Sequence, residues 1–395
     1  MKICAITLLS FLARLALLAD APAKEPPPLV HDDLGAALDA AGSNRQELAR
    51  ALSEVAPDQR DAMRFLIENM PPGDLLSLKA DFLLAHVAEA HRDLDFSRWG
   101  RKTRLKIPRE IFLNDILPYA SLNERRDDSR ARIRRVAEEI VQGCTTASEA
   151  AQKLNRNLFK KLNVRYSTKR KKADQSGAES IESGLASCSG LSILLVEACR
   201  SVAIPARVVG TPMWTNMRGN HTWVEIWDGD WHFTGAAEPD AQGLDRGWFK
   251  GDASKADDTK PEHRIYASSF KKTGLAFPLV WDLSIQWVPA VNVTARYTAA
   301  AKPDEGKTKV LIRVVDKAGG KRIAAKVTVT DNESGEKHTG TSSDETADLN
   351  NILTFRLPPD HHCVIETTYG GAPLIDKLIV EKAKQQIITI SLDQR

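Results

Sequence analysis

Cys188, His221 and, a short stretch further on, Glu238 or Asp240 follow one another in the chain as thiol, imidazole and carboxylate. Those are the parts of a nucleophile, its general base and the group that holds the base in one orientation and tautomer. Ser187-Cys188-Ser189-Gly190-Leu191-Ser192 opens an apolar run in which Leu191, Leu194, Leu195 and Ala198 recur at helical spacing, and Gly184 closes the segment before it. Ser187 is a good N-cap, so the pattern predicts a helix that begins at Cys188. A thiol at that place faces backbone N–H groups without intrahelical partners and the positive end of the helix dipole, which favours the thiolate. The N–H of the nucleophile itself is a natural donor to the oxyanion that forms when its sulfur attacks a carbonyl. Taken alone, a free cysteine is most often a buried structural residue. The surrounding order of residues argues otherwise.

The elements that must position these groups can be read next. Ala203-Ile204-Pro205-Ala206-Arg207-Val208-Val209-Gly210 reads as a turn into an apolar strand, and Met217-Arg218-Gly219-Asn220 as the loop before a second. In that second strand His221, Trp223, Glu225 and Trp227 share one face and Thr222, Val224 and Ile226 the other. Glu225 is expected as a structural carboxylate on an exposed face. Asp228-Gly229-Asp230 supplies a hairpin turn and Trp231-His232-Phe233 begins the returning strand, so an acid just beyond it can receive the second N–H of the imidazole. Trp214, Trp223, Trp227, Trp231 and Trp248 all fall in this stretch. They suggest an aromatic-walled cleft with Trp214, Trp223 and Trp231 as substrate contacts; core packing is the competing reading.

Four separated elements now agree in type and order: Cys188, then Ile204-Pro205-Ala206-Arg207, then His221-x-Trp223-x-Glu225, then Trp231 and an acid-Pro pair. Together they resemble the transglutaminase-like (papain-like thiol) core, over roughly Val164 to Trp248, about a fifth of the chain. The resemblance implies a nucleophile helix packed on an antiparallel sheet, with Cys188 as nucleophile and His221 as base. It departs from the family's commoner pattern at the third member, because the position where an Asp usually follows the strand tryptophan is Gly235 here. Glu238-Pro239 resembles the family's acid-Pro pair displaced by a short insertion, so Glu238 is preferred, with Asp240 as the alternative.

The rest of the chain reads as support. With 395 residues, 42% hydrophobic and 27% charged, it is ordinary globular composition long enough for two or three domains. A formal charge of +3 argues for no strong field toward nucleic acid or an anionic membrane. Met1-Lys2 and the apolar run Ile3 to Leu18, followed by Ala19-Asp20-Ala21-Pro22-Ala23, predict a cleaved signal segment over 1–23, an exported (periplasmic or extracellular) bacterial protein, and no stable membrane insertion after cleavage. Cys144, Cys188, Cys199 and Cys363 would remain, too few for a disulfide framework, although a Cys144 to Cys199 bridge stays open. No CxxC pair or His/Cys cluster has zinc-ligand spacing, so neither a metal nor another cofactor is expected, and His361-His362 reads as surface polar residues.

In chain order, Lys24 to Pro28 is a Pro-rich lead-in, and apolar residues at three- and four-residue steps from Leu34 to Arg92 predict helices. Pro108 to Tyr119 reads as an extended or turn-rich bridge, and Arg130 to Gln142 and Thr146 to Leu162 as further amphipathic helices. Alternation sets in at Val291 to Tyr297 and recurs at Lys309–Val315, Lys326–Thr330, Leu353–Leu357, Cys363–Thr368 and Ile387–Ser391. The expected fold is α+β: a helical region over 24–130, the transglutaminase-like core over 131–290 and a β-sandwich over 291–395, resembling immunoglobulin-like accessory modules. The expected activity is that of an exported thiol enzyme cleaving or transferring amide bonds of protein or peptide substrates. The alternative is a catalytically silent scaffold that binds partners through the tryptophan-rich region.

Overall fold

The computed structural model describes residues 33–92, 98–99, 106–299 and 306–394, so the expected signal segment and the lead-in behind it lie outside the described residues. The chain divides into two compact units, one up to residue 299 and one from residue 300. In the first unit, α1 (Asp33–Ala40), α2 (Arg45–Glu54), α3 (Arg60–Asn69), α4 (Pro72–Ser77) and α5 (Ala80–His91) come first. Leu48, Met63, Leu66, Ile67, Leu83 and Val87 occupy one fully buried cluster there, which accounts for the three- and four-residue steps of the sequence. Asn44, just ahead of α2, is buried because its amide donates to the carbonyls of Leu75 (3.0 Å) and Leu78 (2.9 Å) at the end of α4.

The expected extended bridge after Pro108 is instead a helix, α6 (Arg109–Asp115). Pro108 occupies the N-cap and its carbonyl accepts from Phe112 N at 3.0 Å, a position where proline forfeits no hydrogen bond. Helices α7 (Arg130–Val141) and α8 (Ala147–Lys161) form as anticipated, with Thr146 capping the second by accepting from Glu149 N. A short parallel pair, β1 (Arg165–Tyr166) and β2 (Leu185–Ala186), brackets α9 (Gly177–Ser183). That helix escaped the sequence reading although Ser176 and Glu179 form a capping box. Gly184 then turns the chain at φ 67°, and α10 (Cys188–Ser201) follows.

The core sheet is made of β3 (Ala206–Thr211), β4 (His221–Trp227), β5 (Trp231–Thr234), β6 (Tyr266–Ser268), β7 (Leu275–Ala276) and β8 (Pro289–Asn292), with α11 (Lys250–Ala253) and α12 (Thr294–Thr298) beside it. Its order is β5-β4-β3-β6-β8-β7 and every neighbouring pair is antiparallel. Leu191, Leu194, Leu195 and Ala198 of α10 share a cluster with Val208, Val224 and Ile226, and each leucine there contributes about 1.5–3 kcal/mol of burial. Val209, Trp223 and Phe233 form a second cluster with Phe249 and Tyr297. Both faces of β4 are therefore covered, and Glu225, expected on an exposed face, has no exposed surface. The segment 291–297, expected as the first strand of the C-terminal domain, completes β8 and forms α12 in this first unit.

The second unit holds β9 (Thr308–Val315), β10 (Lys326–Asp331), β11 (Lys337–Thr341), β12 (Leu353–Leu357), β13 (His362–Thr368), β14 (Leu374–Ile379) and β15 (Gln385–Ser391). They make a four-stranded antiparallel sheet, β11-β10-β13-β14, and a three-stranded one, β12-β9-β15, in which β9 and β15 run parallel. Val310, Ile312 and Val314 from one sheet and Val327, Val329 and Ile365 from the other share a single apolar cluster. Strands β11 and β14 were not foreseen, since Lys337-His-Thr-Gly-Thr and Leu374-Ile-Asp-Lys-Leu-Ile carry weak alternation. The fold class is α+β, and among the described residues no helix is long and apolar enough to cross a membrane.

Candidate active site

Cys188 is the first residue of α10, and Ser187 caps the helix by accepting from Gly190 N at 3.1 Å while donating to the carbonyl of Ala173. The thiol is half-buried. His221 is the first residue of β4 and lies opposite Thr211 in the register with β3. Ser189 and Thr222, the residues directly after Cys188 and His221, share a buried hydroxyl–hydroxyl bond of 3.0 Å. That bond joins the start of the helix to the start of the strand. As a result Cys188 Sγ and a ring nitrogen of His221 lie within 4.8 Å of each other. Thr222 faces α10 and His221 alternates to the other face, so thiol and imidazole meet around the end of β4.

Aromatic rings surround the imidazole, which is 2% exposed. Trp248 lies at a centroid distance of 4.7 Å, Phe249 at 5.0 Å, Trp223 at 5.8 Å in a stacked arrangement and Trp214 at 6.3 Å. The loop that delivers His221 is fastened from two sides. Trp214 N donates to Gly219 O at 2.8 Å, Arg218 pairs with Asp252 just before the end of α11, and the ring of His263 meets Met213 O at 3.0 Å.

The carboxylate of Glu238 accepts from Trp248 Nε1 at 2.7 Å, so it braces the ring that packs against His221. The backbone turns back on itself here, with Glu238 N donating to Gly235 O at 3.1 Å and Ala237 at φ 63°. A Cβ at position 235 would stand 2.8 Å from Glu238 Oε2 and 3.2 Å from Glu238 Cβ. The carboxylate of residue 238 thus occupies the space where a side chain at 235 would begin. Asn155, buried on α8, fixes this turn by donating to Thr234 Oγ1 (2.9 Å) and Gly235 O (2.8 Å) and accepting from Ala237 N (2.8 Å). Asp240 accepts from Gln242 N at 2.8 Å and pairs with Arg246 at 3.4 Å in a solvated turn.

The tryptophans are placed differently from the cleft wall anticipated. Trp214 and Trp223 are 1% and 0% exposed and stack on each other, so neither offers surface to a substrate; both form the floor under the imidazole. Trp231 lies opposite Trp227, six residues along β4 from His221, which is about 20 Å of strand. Its ring is covered by the Arg207 guanidinium at 3.8 Å. Glu225 anchors a buried network: Arg207 binds it through Nε (2.8 Å) and Nη2 (2.7 Å), Arg296 Nη1 reaches both oxygens (3.0 and 3.1 Å), and the Tyr297 hydroxyl donates at 2.8 Å while accepting from Trp223 Nε1 at 2.8 Å.

Cys144, Cys188, Cys199 and Cys363 are all free, so the Cys144 to Cys199 bridge is not formed. Burial pushes the Cys199 thiol up to about 12 and Cys363 to about 11, and raises Cys144 as well. Those three are held as thiols at neutral pH. The sequence reading missed Ser189, Thr222 and Asn155. Asn155 could have been found, since a lone amide sits beside Leu154 on the buried stripe of α8.

Residues 134–253 match the family model described as the transglutaminase-like superfamily. Among solved structures, a candidate cysteine protease from Cytophaga hutchinsonii aligns at 19% identity and a TM-score of 0.25, over 29% of this chain and 40% of that one. Red sea bream transglutaminase aligns at 8% identity and a TM-score of 0.26, over 64% of this chain and 58% of its own. No curated protein matches the chain.

Proposed function

We propose that this chain, whose residues 134–253 form a transglutaminase-like domain, is a thiol enzyme that cleaves or transfers amide bonds of protein or peptide substrates. The observation that carries this reading is the approach of Cys188 Sγ to within 4.8 Å of a ring nitrogen of His221 at the open end of a helix. Cys188 passes its proton to His221 and its sulfur attacks the carboxamide carbon, while the first N–H groups of α10 receive the oxyanion. His221 delivers its proton to the departing nitrogen as the C–N bond breaks, leaving a thioester on Cys188. Water or an amine then gives a proton to His221 and attacks the thioester carbon, and the leaving sulfur recovers the thiol.

The third member in this proposal is Glu238. Its support is steric: its carboxylate fills the space next to residue 235, the position at which the family's acid usually stands, and Gly235 leaves that space open. Asp240, engaged by Arg246 in a solvated turn, has no comparable support. The expected signal segment would place the substrates outside the cytoplasm.

The test is mass spectrometry of a peptide library and of a bacterial surface proteome incubated with the protein and with its Cys188→Ala variant. New termini, deamidated glutamines or isopeptide links that need Cys188 would name the acceptor. Identical spectra from both, together with unchanged capture of the same peptides, would identify a silent binding scaffold instead.

A further inference from the structure

A second cluster of donor side chains lies in the C-terminal unit and is independent of the thiol chemistry. Strand β10 ends at Asp331, and the turn to β11 carries Glu333; β13 begins beside them, preceded by His361. The carboxylate oxygens of Asp331 and Glu333 and a ring nitrogen of His361 all lie within 4.8 Å of one another. His361 Nδ1 is 2.9 Å from Asp331 Oδ2 and 3.9 Å from Glu333 Oε2. Donors bound at roughly 2.1 Å around a tetrahedral ion stand about 3.4 Å apart, so these separations bracket what a small divalent cation needs.

The backbone holds the set in place. Asn332 N donates to His362 O at 2.9 Å, Asp331 N to Glu336 O at 2.9 Å, Gly335 N to Asp331 O at 2.8 Å, and Val380 N to His361 O at 2.9 Å. Asp331 itself is not a solvated surface acid, since its side chain is 2% exposed. Ser334 Oγ donates to its Oδ2 at 2.7 Å and Glu333 N to its Oδ1 at 3.0 Å. Glu333 is gripped through both oxygens by His362 N at 3.0 Å, and the exposed His362 ring brings its Nδ1 to 3.0 Å from Glu333 Oε1. A second imidazole therefore stands at the rim of the three donors.

We propose that Asp331, Glu333 and His361 form a zinc site, with His362 orienting Glu333 or completing the coordination. Two carboxylates with one or two imidazoles are a borderline set: calcium and magnesium take oxygen donors, whereas imidazole nitrogen selects zinc and its transition-metal neighbours. A metal bound at His361 Nδ1 replaces that nitrogen's hydrogen bond to Asp331, and the neutral ring then carries its single proton on Nε2. The bound ion clips the β10–β11 turn to the start of β13.

The test uses the full chain carrying Cys188→Ala, so that the thiol and His221 cannot supply a competing site, after chelator treatment and dialysis. Titration with zinc chloride in a calorimeter should give one ion per chain, and adding His361→Ala or, separately, the exposed Glu333→Gln should weaken binding at least tenfold. An equal response to calcium chloride, or zinc binding that neither substitution alters, overturns the proposal.

Discussion

Replacing Glu225 by Gln perturbs the buried network behind the candidate base at the carboxylate that Arg207, Arg296 and Tyr297 share. Glu225 has no exposed surface and Arg207 only 7%, so the neutral amide takes from the desolvated Arg207 guanidinium the carboxylate it is hydrogen-bonded to and presents an NH2 group to donors. Removing one partner of a fully buried pair costs about 3–5 kcal/mol, because the stranded charge cannot return to water. Arg296 is the internal control: its side chain is 35% exposed, and Arg296→Met should cost about 0–1 kcal/mol despite contacting the same carboxylate. At roughly 2–4 °C per kcal/mol, the Glu225→Gln loss corresponds to a drop in Tm of about 6–20 °C. Urea unfolding followed by tryptophan fluorescence reads it directly, since Trp231 lies under Arg207 and Trp223 is tied to Glu225 through Tyr297. A Glu225→Gln protein within 1 kcal/mol of the parent, or an Arg296→Met protein equally damaged, would refute the reasoning.

Thr222→Val should leave the buried Ser189 hydroxyl without its partner at a cost of about 1–3 kcal/mol and slow alkylation of Cys188 by iodoacetamide at pH 6.5. Adding Ser189→Ala should recover most of the stability, since both polar partners are then gone, but not the alkylation rate; a double variant that regains both would show the bond has no positioning role. Desolvation raises the carboxyl of Glu197 to about 8, against an unfolded value near 4.3. The folded chain then keeps a proton that the unfolded chain has lost between those values, so this group's contribution to stability falls as pH rises from about 4.3 to about 8. Glu197→Gln should flatten that slope in pH-resolved thermal melts; an unchanged slope counts against it.

Residues close in sequence carried their own instructions. Ser187 before Leu191, Leu194, Leu195 and Ala198 specified a capped helix starting at Cys188, and Asp228-Gly229-Asp230 specified the hairpin that brings β5 beside β4. Capping and turn formation depend on backbone groups a few positions away, so local order suffices to write them. The burial of Glu225 was illegible, because what covers it is α12, some seventy residues later, formed by a segment whose alternation imitates a strand. The same holds for Trp214 and Trp223. Aromatic residues announce that they will be buried or bind something, and only the packing of β3, β4 and α11 decided that they lie under an imidazole.

The displaced acid is decided at both levels. Sequence supplied a glycine at 235 and an acid-Pro pair three residues on; the turn that folds Glu238 over that glycine depends on Asn155 reaching across from α8. The cluster of Asp331, Glu333 and His361 has no signature at all in ligand spacing, because its halves are about thirty residues apart and become neighbours only through the pairing of β10 with β13. Sequence order fixes helices, turns and the order of reactive groups, since those depend on short-range backbone chemistry. Which carboxylates lose their water, and which distant donors converge, depends on long-range packing and exists only in the folded chain.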